Sequence, residues 1–370
     1  ARLAAAGVDP TALDVAALDR VPVLGKDALP ALQRQHPPYG GLVADDAPVE
    51  RVFASPGPIY EAQLAGEDPW RWAPALRACG IGAGDVVLNC FGYHLSPAGM
   101  MFDLGCRAVG ATVVPGGVGA MEIQAQVIAD LGVTAYVGLP SYLAGLIEKY
   151  DAAALAADRW RLAKALVTAE PLPESLRGRL RERVPTVLMA YGTAEAGLIG
   201  HEVAAGTGLE VPDDVFVEIC QPETGIPVDG EDPGEVVVTM VGAGSPLLRF
   251  GTGDVSRWQL VEGRLRLAGV LGRVGAAVKV RGLFIHPHQA AEVVGSLAEE
   301  GVRAARFVVQ RPADRDVLRL EVVVSGDVDP EGVAAVAVRL SRELLRVRPD
   351  VAVVEALPDG AVLVDERVWG

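Results

Sequence analysis

Thr186-Val187-Leu188-Met189-Ala190-Tyr191-Gly192-Thr193-Ala194-Glu195 is the stretch on which the reading of the fold turns. Its first half (TVLMA) is a short run without polar alternation, the pattern of a strand covered on both faces. Its second half places small and polar residues at that strand's carboxyl end, where open α/β sheets bind ligands. Four similar runs precede it: Asp85–Cys90, Ala111–Pro115, Thr134–Leu139 and Ala165–Thr168. Between them Pro97–Gly110, Met121–Leu131 and Ser141–Tyr150 have helical spacing. Strands alternating with helices predict a parallel, doubly wound sheet.

The pattern changes further along. Phe216–Cys220, the turn residues Pro222-Glu223-Thr224-Gly225 and Gly234–Met240 predict an antiparallel meander. After Gly272 a helix over Pro287–Leu297, strands over Arg306–Gln310 and Arg319–Ser325, a helix from Asp329-Pro330 closed by Pro349, and a strand over Val351–Ala356 predict a small α+β lobe. Residues 1 to 50 read as a polar, proline-punctuated lead-in. The fold class is therefore α/β. A large N-terminal domain (1–272) combines a parallel α/β sheet with an antiparallel meander, and a smaller C-terminal α+β domain covers 273–370.

The charge of −15 comes from 48 acidic against 33 basic residues, and such a surface repels phosphate backbones and anionic lipid. Nucleic acid and membrane are set aside as partners, since no apolar run nears the roughly 20 residues of a spanning helix. Cys79, Cys90, Cys106 and Cys220 form no CxxC pair, which predicts reduced thiols and a cytoplasmic setting. No signal peptide is visible, although the chain begins at Ala1. Lys26, Lys149, Lys164 and Lys279 are the whole supply of lysine.

Several residues suit a nucleotide. Gly192 permits a tight turn, Thr193 offers a hydroxyl to a phosphate, and Glu195 suits Mg²⁺. Asp254, at a loop end in Thr252-Gly253-Asp254, suits two ribose hydroxyls. Arg273 places a guanidinium near ribose or phosphate, and Ala169-Glu170-Pro171 lies at another strand end. Each of these, taken singly, reads equally as an ordinary turn or a solvated arginine.

Taken in order, they resemble the adenylate-forming superfamily and, within it, the phenylacetate–coenzyme A ligase family. Lys26-Asp27, Gly92-Tyr93-His94-Leu95, Gly110–Pro115, Leu139-Pro140-Ser141-Tyr142, Ala169-Glu170-Pro171, Tyr191–Glu195, Pro222–Gly225, Gly234-Glu235, Pro246–Asp254, Gly272-Arg273, Lys279, Arg281-Gly282 and Pro287 carry the resemblance. It implies that a small-molecule carboxylic acid reacts with ATP to give an acyl-adenylate. The small domain then rotates, and coenzyme A takes the acyl group. It implies Glu195, Thr193 and Lys279 as the catalytic set, with Mg²⁺ on Glu195. Ala169, Glu170, Pro171, Tyr191, Gly192, Asp254 and Arg273 would bind ATP or AMP. Tyr93, His94 and Ser96 would border the acyl pocket. A homodimer is compatible with the resemblance.

The chain also departs from that family. The phosphate loop is reduced to Ala54-Ser55-Pro56-Gly57-Pro58-Ile59-Tyr60, and its two prolines remove two N–H donors. No lysine follows Lys279, so the adenylating lysine expected within Leu357–Asp365 is missing. Nearby Arg367 offers a planar fork rather than a point charge. The hinge aspartate is replaced in Val274-Gly275-Ala276-Ala277, and the positions of a structural zinc site in some relatives hold Val203 and Glu210. Two readings stand: a ligase with altered phosphate handling, or a binding or transfer protein for AMP, an acyl-adenylate or acyl-coenzyme A.

Overall fold

The computed structural model describes residues 2–9, 18–55, 58–222, 224–242, 244–274, 278–285, 287–326, 328–358 and 361–367. Pro56 and Gly57 of the shortened loop, Glu223 of the meander turn, Gly275–Ala277 of the hinge segment and Asp359-Gly360 lie outside the described residues. The chain divides into two compact units, 1–272 and 273–370.

In the large unit a six-stranded sheet runs in the spatial order Thr112–Pro115, Val86–Asn89, Ala135–Gly138, Lys164–Val167, Thr186–Thr193, Gly197–His201. The first five strands are parallel and the last is antiparallel. Alternate residues of these strands enter different cores, as a period of two requires. Val87, Val137, Leu166 and Leu188 pack with Phe102 and Cys106 of the helix Ala98–Ala108. Leu88, Tyr136, Val167 and Val187 pack with Ile128, Leu143 and Leu176 of the helices Met121–Leu131, Pro140–Ala152 and Glu174–Arg181. Burial on both faces explains why these runs carry no polar alternation.

The meander comprises Phe216–Cys220, Gly234–Met240 and Leu247–Ser256, all antiparallel. The lead-in is more ordered than its composition suggests. Leu24–Gly25 pairs parallel with Leu247–Ser256, and Leu29–Gln35 forms a helix whose Leu29 is buried in the meander core. A hairpin of Val49–Ser55 and Ile59–Leu64 flanks the shortened loop.

The small unit has a four-stranded sheet in the order Asp350–Val353, Val317–Val324, Val302–Gln310, Leu363–Asp365. The helices Pro287–Leu297 and Pro330–Leu344 pack around Phe307, Leu318, Leu320 and Val322. Asp329 caps the second helix by accepting from the N–H groups of Glu331 and Gly332. That helix ends at Leu344 rather than near Pro349, and Arg346 already takes a left-handed conformation at φ 58°.

Candidate functional site

The strand order of the main sheet reverses between Val86–Asn89 and Ala135–Gly138, which opens a crevice at the carboxyl ends of the strands. The segments that leave those ends carry Tyr93, His94 and Ser96, then Ala169–Pro171, then Ala194-Glu195. Tyr93 is anchored: Asn89 Nδ2 donates to its oxygen at 2.7 Å, and it donates to Asp103 Oδ2 at 3.1 Å. His94 and Ser96 are exposed. Ala169 holds a left-handed φ of 68°. The carboxylate of Glu170 is buried and accepts from Ser141 Oγ at 2.6 Å and from Ser141 N at 3.4 Å, in the first turn of the helix Pro140–Ala152.

Two expectations about backbone shape are corrected. The chain does not turn at Gly192: the strand continues to Thr193, turns over Ala194–Ala196 and returns as Gly197–His201. Gly192 is needed for close approach, because a Cβ there would collide with the Gly197 carbonyl and the Trp72 ring. Thr193 Oγ1 closes the turn by accepting from Ala196 N at 3.1 Å. Asp254 is likewise inside a strand, not at a loop end. Glu235 pairs with Val255 and Val237 with Gly251, so Thr252-Gly253-Asp254 bulges opposite the single residue Val236. Gly253 makes the bulge with φ 73°, and bulges of this kind re-aim side chains.

The re-aimed groups meet. Tyr191 hydroxyl lies 3.0 Å from Asp254 Oδ2 and 3.2 Å from Thr252 Oγ1, which itself donates to Val236 O at 2.9 Å. A second register shift lies between Tyr191 and Gly192. Irregularities in two different sheets thus bring Tyr191 and Asp254 together.

Sequence reasoning missed what surrounds Glu195. Lys26 Nζ lies 2.7 Å from Glu195 Oε1 in a nearly closed site, with the Glu195 side chain 6% exposed. Glu61 is also buried, and accepts from Ser55 Oγ through Oε1. Its Oε2 is buried without a hydrogen-bond partner among the described residues. Burial and then the charge of Glu195 push the Glu61 carboxyl up to about 8, against the smaller pull of Ser55 and Lys26. Burial alone would raise Glu195 too, but the Lys26 ammonium holds it below the usual carboxylate range. Glu61 and Glu195 both line a cavity of about 200 Å³ beside Gln33, Trp70 and Arg71. The available signal was the alternation along Ile59–Leu64, which puts Glu61 on the inward face with Ile59 and Gln63.

These residues do not fit a divalent cation. Mg²⁺ requires near-octahedral oxygen ligands, and Glu195 already faces an ammonium. Among the described residues no group of three or more His, Cys, Asp or Glu could hold a metal. The four thiols are buried, and burial pushes that of Cys79 up to about 12.

In the small unit, Arg273 ends the two-residue strand Gly272–Arg273, and Lys279 sits in the hairpin of Val278–Val280 and Leu283–Ile285. Arg367 donates to Lys279 O at 2.8 Å, to Asp316 Oδ2 at 3.1 Å and to Asp365 Oδ2 at 2.6 Å. No helix among the described residues is long and apolar enough to cross a membrane.

The sequence profile of the AMP-binding enzyme family matches residues 75–243. A phenylacetate-coenzyme A ligase of Thermus thermophilus is 30% identical over 339 residues, covering 86% of this chain and 75% of that protein. One from Escherichia coli is 29% identical over 310 residues, covering 78% and 69%. The crystal structure of 2-hydroxyisobutyryl-CoA ligase with 2-HIB-AMP and CoA, in the thioesterification state, superposes with a TM-score of 0.82 at 23% identity. It covers 99% of this chain and 84% of that one.

Proposed function

Because this chain belongs to the phenylacetate-coenzyme A ligase family of adenylate-forming proteins, we propose that its crevice holds a carboxylic acid as the adenylate and passes the acyl group to coenzyme A. The observation that carries this reading is the Tyr191–Asp254 contact, which aims a buried carboxylate from one sheet at the carboxyl edge of the other. Asp254 accepts hydrogen bonds from the ribose hydroxyls. Thr193 donates its hydroxyl to the phosphate. Ala169, Glu170 and Pro171 line the adenine beside Tyr191 and Gly192, and Tyr93, His94 and Ser96 border the acyl group. In the transfer step the coenzyme A sulfur bonds to the acyl carbon. The acyl–phosphate bond breaks, AMP leaves with the electron pair, and the thiol proton passes to solvent. Residues 273–370 act as the mobile small domain, with Lys279 close to its hinge. The four buried thiols suit the cytoplasm, and a homodimer is the assembly the family suggests.

A second reading is favoured by one specific observation. No lysine follows Lys279, and the nearby Arg367 is held by Asp316 and Asp365. Loss of a charge aimed at the transition state costs about 3–4 kcal/mol, roughly 10²–10³ in rate. On this reading the protein binds or transfers a preformed adenylate and does not make one. ATP–pyrophosphate exchange across a panel of aromatic and aliphatic acids separates the two. Exchange above background supports the full ligase. Background exchange together with thioester formation from a synthetic acyl-adenylate and coenzyme A supports the transfer role. Failure of both, with no AMP binding, overturns the proposal.

A further inference from the structure

The relation between Lys26 and Glu195 carries the reading of this site one step further. The Lys26 side chain is 19% exposed and that of Glu195 6% exposed, so the pair is largely withdrawn from solvent. The ammonium lies 2.7 Å from Glu195 Oε1, so a divalent cation held by both carboxylate oxygens would contend with it for the same place. Withdrawing one partner from such a pair strands the other charge in a poor solvent. A metal ion would have to displace the ammonium, shed water and find further oxygen ligands. The neighbouring Glu61 accepts from Ser55 through Oε1, and although its Oε2 has no hydrogen-bond partner among the described residues, burial beside Glu195 favours its neutral acid form, a weak cation ligand. One ammonium against one carboxylate is a neutral pair, with no surplus positive charge for a polyphosphate tail.

We infer that Lys26 takes the place of the divalent cation at Glu195, so that this edge binds an adenylate, with its single phosphate, without Mg²⁺. The inference rests on the reading of this edge as the nucleotide site.

The test uses the full chain, Mn²⁺ as the probe ion and the electron paramagnetic resonance signal of free Mn²⁺, with and without AMP. Glu195→Gln is titrated alongside to subtract ions gathered by the acidic surface. Wild type and Glu195→Gln are expected to leave the same free signal. Lys26→Met is expected to lower it by exposing Glu195, and Lys26→Met combined with Glu195→Gln to restore it. Lys26→Gln serves in the same way should Lys26→Met fail to fold. Mn²⁺ uptake by wild type that Glu195→Gln abolishes overturns the inference. So does a folded Lys26 variant that takes up no additional ion. Calorimetry with AMP alone is read separately: absence of AMP binding counts against the proposed nucleotide site, while the Mn²⁺ comparison still decides the cation question.

Discussion

Replacing Glu61 with Gln removes one ionisation from the cavity and keeps the shape of the side chain. In the folded protein Glu61 holds its proton up to about pH 8, because burial and the charge of Glu195 oppose ionisation. In the unfolded chain a glutamate releases its proton near its ordinary value of about 4.3. Between those values the unfolded state binds fewer protons than the folded state, so stability falls as pH rises. The contribution is complete below the unfolded value and is lost as pH passes through about 8. Linkage over the window from about pH 7 to about pH 9 gives a loss on the order of 1 kcal/mol from this one group. Urea unfolding followed by tryptophan fluorescence, with Trp70 bordering the cavity, measures it at both ends of the window. Other groups that titrate there act alike in wild type and in Glu61→Gln and cancel in the comparison. Wild type is expected to lose on the order of 1 kcal/mol more than the variant. Equal losses would refute the reasoning, for they would mean that Glu61 is ionised throughout or open to water. Glu195 runs with the opposite sign: held low by Lys26, it contributes stability above its unfolded value that is lost on acidification.

Asp254→Ala should weaken AMP binding by about 1.5–3 kcal/mol, the worth of a hydrogen bond to a charged group, as read by calorimetry. An unchanged affinity would place the ribose elsewhere. Glu202→Ala should destabilise the large unit by up to about 3 kcal/mol in urea unfolding, since it leaves the buried Arg177 guanidinium with only the exposed Glu174 as a counter-charge. Arg177 meets Glu202 through two bonds of 2.7 Å, with both side chains at most 5% exposed. A change below about 1 kcal/mol would mean that the pair is solvated and worth no more than a surface ion pair.

The parallel sheet was legible because its strands are short apolar runs whose ends coincide with turn residues. Val86–Asn89, Thr112–Pro115 and Ala135–Gly138 each lie one residue or so inside the predicted runs. Helix Met121–Leu131 agrees to the residue. The helix Glu174–Arg181 was not foreseen, since four of its eight residues are charged and its buried side includes Arg177. The strand Gly197–His201 was hidden because its pairing depends on Gly197 at φ 64°, where a Cβ would strike the Trp70 backbone. The last strand, Leu363–Asp365, is three residues long and takes its identity from pairing with Phe307–Val309. In the candidate site, residue types at strand ends were readable and their contacts were not. Lys26 and Glu195 are far apart along the chain, and no local pattern announces their ion pair. Asp254 reads as a loop residue in sequence because bulges use the same Gly and Asx residues as turns.

The placement of these groups separates two tasks that a triphosphate-using site must combine. Tyr191, Thr252 and Asp254 are set by strand bulges and backed by the meander core, so their geometry comes from the body of the large unit. On the other side, Glu195 is matched to a lysine, Glu61 to Ser55, and a proline follows at position 58. Random decay of a triphosphate site would leave buried charges without partners, and each would weaken the fold by several kcal/mol. Here the Glu195 carboxylate is instead paired with an ammonium, and Glu61, beside the Ser55 hydroxyl, is kept as the neutral acid up to about pH 8 by burial and the charge of Glu195. Such compensation is what a cleft shaped around a monophosphate ligand requires, and it makes the metal response of Glu195 the property that most sharply divides the two readings of this chain.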